Sequence, residues 1–187
     1  MGRLGFYFNM NTCLGCGACQ VACKDYHDLR PGEFFRRVDT IAVNVDGKSI
    51  YAHYSGTCNH CEDPKCVQAC PTGAMHKAAD GTVVHDDNLC MGCGSCMWNC
   101  PNGAVSFSLT KGVTQKCNAC AELRERGYEP NCVGACPTRS LKFGDIDELK
   151  KEFGATDDIS ILPVSDVTDP SLVVKLPKNI EQAKGGK

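Results

Sequence analysis

Apolar and polar residues alternate in several short segments of the chain, and turn signals separate these segments. Residues 38–54 alternate loosely around Asp46-Gly47, which predicts a two-stranded hairpin insertion. Residues 71–89 contain a second Asp-Gly turn followed by a pair of valines, and they predict another small hairpin. Residues 104–109 (AVSFSL) predict a further strand.

The region after residue 145 has a different pattern. Residues 145–153 predict an amphipathic helix that begins with acidic residues and ends with lysines, as the helix dipole favours. From residue 155 to residue 187, isolated apolar residues are separated by prolines, which predicts an extended tail that either lies along a partner or is a mobile end. No apolar run approaches the roughly 18 residues of a membrane span.

Cysteine is the unusual component of the composition, with 16 of 187 residues. The remaining apolar side chains supply a modest core, so we expect another source of stability. The cysteines fall into four groups of four. The first and third groups have the spacing C-x2-C-x2-C-x3-C, the second C-x2-C-x4-C-x3-C and the fourth C-x2-C-x11-C-x3-C. The groups are Cys13, Cys16, Cys19 and Cys23; Cys58, Cys61, Cys66 and Cys70; Cys90, Cys93, Cys96 and Cys100; Cys117, Cys120, Cys132 and Cys136.

Three kinds of cross-link compete for these cysteines. Disulfides are disfavoured because closely spaced cysteines compete for the same partners, and because the N-terminus shows neither an apolar signal segment nor a twin-arginine pair. Structural zinc also uses C-x2-C pairs. Here, however, two groups are triplets with an outlying cysteine, and Pro71, Pro101 and Pro137 each follow a fourth cysteine. These features favour iron–sulfur clusters.

The spacing C-x2-C-x2-C-x3-C-P is that of bacterial ferredoxins, whose last cysteine serves a neighbouring cluster. Three close thiolates wrap three irons of a cubane, and the glycines in CLGCGAC and CMGCGSC let the backbone approach it. Applied to the second and third groups, this crossed rule gives two ligand sets: Cys58, Cys61, Cys66 and Cys100; Cys70, Cys90, Cys93 and Cys96. The other groups then give Cys13, Cys16, Cys19 and Cys136; Cys23, Cys117, Cys120 and Cys132. Spacing alone leaves open sequential pairing, of the first group with the second and of the third with the fourth.

Several stretches resemble the four-cluster iron–sulfur subunits of the dimethyl sulfoxide reductase family, which serve molybdopterin oxidoreductases. They include GFYFNMNTCLGCGACQVACKDYHDL, CNHCEDPKCVQACPTGAMHK and DDNLCMGCGSCMWNC. The resemblance covers roughly residues 5–150 and implies the nested pairing, a molybdopterin-bearing catalytic subunit and a membrane anchor that takes electrons from quinol. A related type replaces a third-group cysteine by tryptophan, whereas here Trp98 lies between two cysteines, so four [4Fe-4S] clusters are expected. Lys24 departs from the proline expected after a fourth cysteine.

This resemblance implies an α+β fold of two nested bacterial-ferredoxin-like lobes, each holding two clusters, with a β-hairpin insertion and an extended C-terminal tail. The expected boundaries are 1–37 and 101–154 for the outer lobe, 38–57 for the insertion, 58–100 for the inner lobe and 155–187 for the tail.

The expected function is a one-electron relay. The sequence shows no nucleophile elbow, Ser/His/Asp set or phosphate loop, so we expect catalysis on a partner and not on this chain. The alternative is a polyferredoxin-type relay of a hydrogenase or formate-oxidising complex. The resemblance implies membrane association through partner subunits, at the outer (periplasmic) face if the chain is exported with its partner, with a cytoplasmic complex as the other option. Twenty basic against 22 acidic residues, without a basic block, give no sign of nucleic-acid binding.

Charge leads to a further expectation. Four oxidised clusters with their thiolates add about −8 to the formal charge of −2, which makes the loaded protein strongly acidic. Lys111, Lys116, Arg139 and Lys142 flank the fourth group, and their positive field would raise cluster potentials. Neutralising Lys116 is therefore expected to lower the potential of the cluster held by the fourth group. No histidine ligand is required, and Trp98 is expected to pack against the cluster surroundings.

Overall fold

A computed structural model describes residues 2–45, 48–154, 162–163 and 165–177 of the chain. The elements in chain order are β1 (Leu4–Asn9), α1 (Ala18–Tyr26), β2 (Arg37–Val45), β3 (Lys48–Gly56), α2 (Lys65–Gln68), β4 (Met75–Lys77), β5 (Val83–His85), α3 (Ser95–Trp98), β6 (Val105–Ser108), β7 (Val113–Lys116), α4 (Ala121–Glu125), α5 (Asn131–Gly134), β8 (Leu141–Asp145), α6 (Ile146–Phe153) and β9 (Leu172–Lys175). Short helices and small sheets confirm the α+β class.

A three-stranded sheet joins distant parts of the sequence in the order β8-β1-β9. Strand β1 pairs antiparallel with β8 and parallel with β9. Side chains alternate between the two faces of a strand. Phe6 and Phe8 therefore enter a buried cluster that contains cysteines, whereas Tyr7 packs with Ile146 and Leu149 of α6 on the other face. The sheet thus separates the cysteine-rich core from α6.

Three antiparallel hairpins connect or cover the cysteine groups. Strands β2 and β3 form the predicted insertion, whose turn, Asp46-Gly47, lies outside the described residues. Strands β4 and β5 form the hairpin predicted between the second and third groups. The strand predicted at 104–109 is β6, and it pairs with β7 on the way to the fourth group. The sequence pattern therefore predicted two of these hairpins and the first strand of the third, but not its partner β7.

Helix α6 confirms the prediction for residues 145–153. The Asp145 side chain caps its N-terminus by accepting hydrogen bonds from the backbone N–H groups of Asp147 (3.0 Å) and Glu148 (3.2 Å). The helix ends at Gly154, whose φ of 53° suits glycine.

The extended tail predicted from residue 155 is wrong for part of its length. Residues 172–175 form β9, and the side chains of Val173 and Val174 are completely buried, one on each face of the sheet. A strand that is covered on both faces has consecutive apolar residues instead of alternating ones, so the prolines around this short run obscured it. Residues 155–161 and 178–187 of the predicted tail lie outside the described residues.

Prolines account for the different lengths of the helices that carry cysteines. Helices α2, α3 and α5 have four residues each, and Pro71, Pro101 and Pro137 follow shortly after their ends. A proline disfavours the helical conformation of the preceding residue. Helix α1 has Lys24 at the equivalent position and continues to Tyr26. The departure at Lys24 from the ferredoxin pattern therefore lengthens a helix.

Candidate metal centres

The loops of the first and third groups share an unusual backbone conformation. Gly17 and Gly94, which immediately precede α1 and α3, both have φ 74° and ψ −1°. This left-handed conformation is costly for residues with a Cβ atom. The repeated C-x-G-C-G motif thus produces the same loop twice and turns the chain sharply into each helix.

Backbone N–H groups point at cysteine sulfurs in the same way in three groups. The N–H two residues after the first cysteine donates to its Sγ, from Gly15 to Cys13 at 3.5 Å and from Gly92 to Cys90 at 3.4 Å. The fourth group repeats this contact at 3.3 Å, from Ala119 to Cys117. Such donors favour the negatively charged thiolate, which is the form that binds metal.

Thiols of the first and fourth groups lie beside one another. Burial raises the pKa of Cys13, and nearby thiols raise it further; they belong to Cys19, Cys136 and Cys16. Burial also raises the pKa of Cys23 far above its usual range, with contributions from Cys117, Cys132 and Cys120. Helix α1 packs on α5, where Asn131 Nδ2 donates to the Ala22 carbonyl at 2.8 Å. The two ends of the cysteine sequence therefore meet in space.

Thiols of the second and third groups are also neighbours. Burial raises the pKa of Cys66 to about 12, and the surrounding thiols belong to Cys58, Cys100 and Cys61. Burial raises the pKa of Cys96, next to the thiols of Cys70 and Cys90. The thiol of Cys70 also faces Cys93. Helix α2 packs on α3 and brings the two groups together.

The arrangement of the thiols fits clusters better than single metal ions. All 16 cysteines are free and lie within the described residues. In that part of the sequence, no group of three or more His, Cys, Asp or Glu side chains is arranged to hold one metal ion. A tetrahedral zinc site needs thiolate sulfurs only about 3.8 Å apart, because each lies about 2.3 Å from the metal. A cubane binds one thiolate at each of four irons, so its thiolates stand further apart.

The four groups differ in their access to solvent. Cys16 in the first group and Cys93 in the third are exposed. Large apolar side chains are exposed beside both: Leu14 and Val21 near Cys16, and Met91 near Cys93. All four cysteines of the fourth group are buried. The first and third groups thus have a thiol at the surface, whereas the fourth group has none.

Lys116 is the one of the four predicted cations that is buried. Its Nζ donates to the carbonyl oxygens of Val83 and, at 2.6 Å, Cys117. Its charge opposes the effect of burial on Cys58, whose pKa is raised to about 11, and it also acts on Cys66. The structure therefore places the Lys116 charge beside thiols of the second group as well as beside the Cys117 carbonyl of the fourth, and the lower potential expected for the fourth-group cluster stays a prediction.

The position of Trp98 differs from the prediction. This residue was expected to pack around a cluster, but it is 89% exposed.

The imidazole of His60 is completely buried, and burial lowers its pKa well below the usual value. Its Nδ1 accepts a hydrogen bond from the Val83 N–H at 3.0 Å, so this ring packs in the core as a neutral group.

These loops and thiol sets define a protein of the ferredoxin type that binds iron–sulfur clusters. Comparison with known families agrees: residues 50–146 match a 4Fe-4S dicluster domain, and residues 12–74 match a second domain of this description.

Similar proteins narrow the family. One polypeptide of the anaerobic dimethyl sulfoxide reductase of Haemophilus influenzae is 44% identical over 184 residues, which are 94% of this chain and 90% of that protein. The polypeptide of the same name in Escherichia coli is 44% identical over 181 residues, which are 92% of this chain and 88% of that protein. A sulfite dehydrogenase subunit of Allochromatium vinosum is 36% identical over 81% of this chain and 72% of its own length. The protein described here belongs to this family of 4Fe-4S dicluster subunits. Among the described residues, no helix has the length and apolar character needed to cross a membrane.

Removal of iron is expected to unfold much of the protein. Among the residues whose burial the structure describes, nine of the 29 buried apolar ones are cysteines, so metal binding and folding are coupled. Far-ultraviolet circular dichroism before and after anaerobic chelation measures this, and reconstitution with iron and sulfide is the control. An unchanged spectrum after complete iron removal contradicts the coupling.

Loss of the Lys116 charge is expected to lower the reduction potential of the cluster bound by the second group. A cation favours the more negative reduced state, and a tenfold change in the reduction constant corresponds to about 59 mV for one electron. A redox titration of Lys116→Met measures the shift. The matched control is Lys111→Met, because Lys111 is exposed and paired with Asp87 at the surface. Equal cluster reduction potentials in the two variants would show that the burial of the Lys116 charge does not affect the potential.

Proposed function

We propose that this chain relays single electrons through four [4Fe-4S] clusters between a molybdopterin-bearing catalytic subunit and a quinol-linked membrane anchor. The observation that carries the proposal is the succession of neighbouring thiol sets, with an exposed cysteine in the first and third groups and buried ones between them. When bound, each such cluster accepts and releases one electron, and clusters that lie close together permit electron transfer over short distances. The partners are those that the resemblance to the dimethyl sulfoxide reductase family implies, and the similar polypeptides belong to an enzyme of that name.

The ligand sets that we propose are nested. Their members are Cys13, Cys16, Cys19 and Cys136; Cys23, Cys117, Cys120 and Cys132; Cys58, Cys61, Cys66 and Cys100; Cys70, Cys90, Cys93 and Cys96. The thiol neighbours of Cys13, Cys23, Cys66 and Cys96 support this assignment. The packing of α1 on α5 and of α2 on α3 supports it as well. The outer lobe then comprises 1–37 and 101–154, and the inner lobe 58–100.

The order of the four sets follows from the contacts between the lobes. Cys58 of the inner lobe feels the charge of Cys117 in the outer lobe. The set with Cys117 is therefore adjacent to the set with Cys58, while the sets with the exposed Cys16 and Cys93 form the two ends. We propose that partners exchange electrons at these two ends, and that the protein associates with a membrane through its partners.

The residues of the protein have three tasks in this relay. The cysteines hold the irons as thiolates, and the loop N–H groups at Gly15, Gly92 and Ala119 stabilise their charge. The hydroxyl of Thr114 lies 3.4 Å from Cys96 Sγ. The buried apolar side chains exclude water from the two middle thiol sets of the proposed order, which are those with Cys117 and with Cys58.

A second candidate is a relay of a formate-oxidising complex. The formate dehydrogenase iron–sulfur subunit of Wolinella succinogenes is 35% identical over 169 residues, which are 79% of this chain and 84% of that protein. Its resemblance is weaker than that of the dimethyl sulfoxide reductase polypeptides, so we place the dimethyl sulfoxide reductase type first.

Purification of the protein with its native partners tests the relay. Under strictly anaerobic conditions, we expect about 16 irons and 16 sulfides per polypeptide, because four cubanes have four of each. We expect a copurified subunit that contains molybdenum and pterin, and its substrate distinguishes the two candidates. A nickel-iron partner would contradict the proposal, and so would zinc in place of iron.

Two double variants distinguish nested from sequential pairing. In the nested scheme Cys16 and Cys136 serve the same cluster, so Cys16→Ser with Cys136→Ser is expected to leave three intact clusters. Cys70 serves a different cluster, so Cys16→Ser with Cys70→Ser is expected to leave two. Sequential pairing predicts the reverse, because the crossed rule then joins Cys70 to the first group.

Mössbauer spectroscopy of the iron-57-loaded protein counts the intact [4Fe-4S] clusters. Each of the three single variants is the control, because either scheme predicts three intact clusters in it. Two intact clusters in the first double variant and three in the second would refute the nested pairing while leaving the relay itself in place.

A further inference from the structure

Arg36 is a fully charged side chain in the interior of the protein. Its residue is 2% exposed, although it immediately precedes the surface hairpin formed by β2 and β3. Its Nη1 donates to the carbonyl oxygen of Ser55 at 2.9 Å and to Ser55 Oγ at 3.0 Å. The guanidinium carbon lies 4.8 Å from the centroid of the Phe6 ring. Arginine does not lose its proton in proteins, so the positive charge is permanent.

Part of this guanidinium has no oxygen acceptor. Both Nε and Nη2 are buried without an oxygen acceptor among the described residues, and the Arg36 side chain lies within hydrogen-bonding reach of the Cys132 thiol. Within that part of the sequence, no carboxylate forms an ion pair with Arg36. A buried charge without compensation is strongly destabilising. A negative charge that the polypeptide does not itself carry as a carboxylate must therefore stand near it.

The groups that surround Arg36 are cysteines of both proposed outer sets. Burial alone would lower the pKa of Arg36, but the neighbouring thiols raise it above its usual value; they belong to Cys132, Cys117, Cys19 and Cys23. Cys19 belongs to one ligand set and the other three to the next. Ser55 connects Arg36 to this region, since its Oγ also lies 3.3 Å from Cys19 Sγ. Arg36 thus lies at the junction of two sets of thiolates.

We propose that Arg36 is the shared counter-charge of the two outer [4Fe-4S] clusters and raises the reduction potentials of both. This inference rests on the proposed nested ligand sets. A nearby cation stabilises the more negative reduced state over the oxidised state, and low solvent access strengthens the effect. Arg36 acts through its charge and is not a ligand.

Arg37 supplies a matched control. It has the same side chain, follows Arg36 directly and is exposed. Its guanidinium carbon lies 5.1 Å from the centroid of the Phe34 ring. The Arg37 charge is exposed to water, so screening weakens its effect on a buried cluster.

The test is a redox titration of the purified holo-complex, monitored by electron paramagnetic resonance, with iron counted in the same samples. We compare Arg36→Gln, Arg36→Lys and Arg37→Gln with the unchanged protein. In Arg36→Gln we expect the reduction constants of two of the four clusters to fall about tenfold or more, which is about 59 mV for one electron. Arg36→Lys keeps the charge and is expected to retain most of both potentials, and Arg37→Gln is expected to change none.

Unchanged potentials in a fully loaded Arg36→Gln complex overturn the proposal, and so does an equal fall in all four clusters. If Arg36→Gln fails to assemble two clusters, Arg36→Lys decides: assembly in the lysine variant supports a counter-charge, and failure in both overturns it. Fewer than four clusters in the unchanged protein would instead be a failure of the proposed relay, which the iron count reveals separately.

Discussion

The burial of negatively charged thiolates is the physical constraint on which the rest of this structure depends. A [4Fe-4S] cluster with four thiolates has a net charge of about −2 when oxidised, and charge in an interior is tolerated only where it is compensated. The protein meets this demand with several kinds of group. Loop N–H groups donate to Sγ atoms, hydroxyls lie near them, and Arg36 and Lys116 bring positive charge.

These groups are divided between the ends and the middle of the series of thiols. The groups with exposed cysteines, Cys16 and Cys93, have solvent nearby to screen their charge. The buried fourth group lacks that screening, and the two buried cations lie on either side of it. Arg36 faces it from the first group, and Lys116 lies between Cys117 and the second group. Positive side chains thus lie beside the thiols from which the protein excludes water.

The sequence predicted what depends on local spacing, and it missed what depends on distant packing. The sequence pattern predicted two hairpins and the strand β6, and the acidic start predicted α6, because turn and capping preferences act over a few residues. The strand β9 was missed, since only its pairing with β1 and the cover on both of its faces explain three successive buried apolar residues. Arg36 gave no signal either, because one arginine of an Arg-Arg pair is buried and the other exposed. The exposure of Trp98 was also missed, because it depends on how α3 packs in the folded protein and not on local spacing.

The cysteine groups furthest apart in the sequence are brought together by the three-stranded sheet. Strand β1 leads into the first group and β8 follows the fourth, and their register pairs Phe8 with Leu141. Beyond this pair, the Asn9 N–H donates to the Ser140 carbonyl at 2.8 Å, and the hydroxyls of Thr12 and Ser140 lie 2.8 Å apart. Closing so long a loop costs conformational entropy, and these contacts offset part of that cost. The folding of the sheet and metal binding at the proposed outer sets therefore favour each other, because each brings the same two ends of the sequence together.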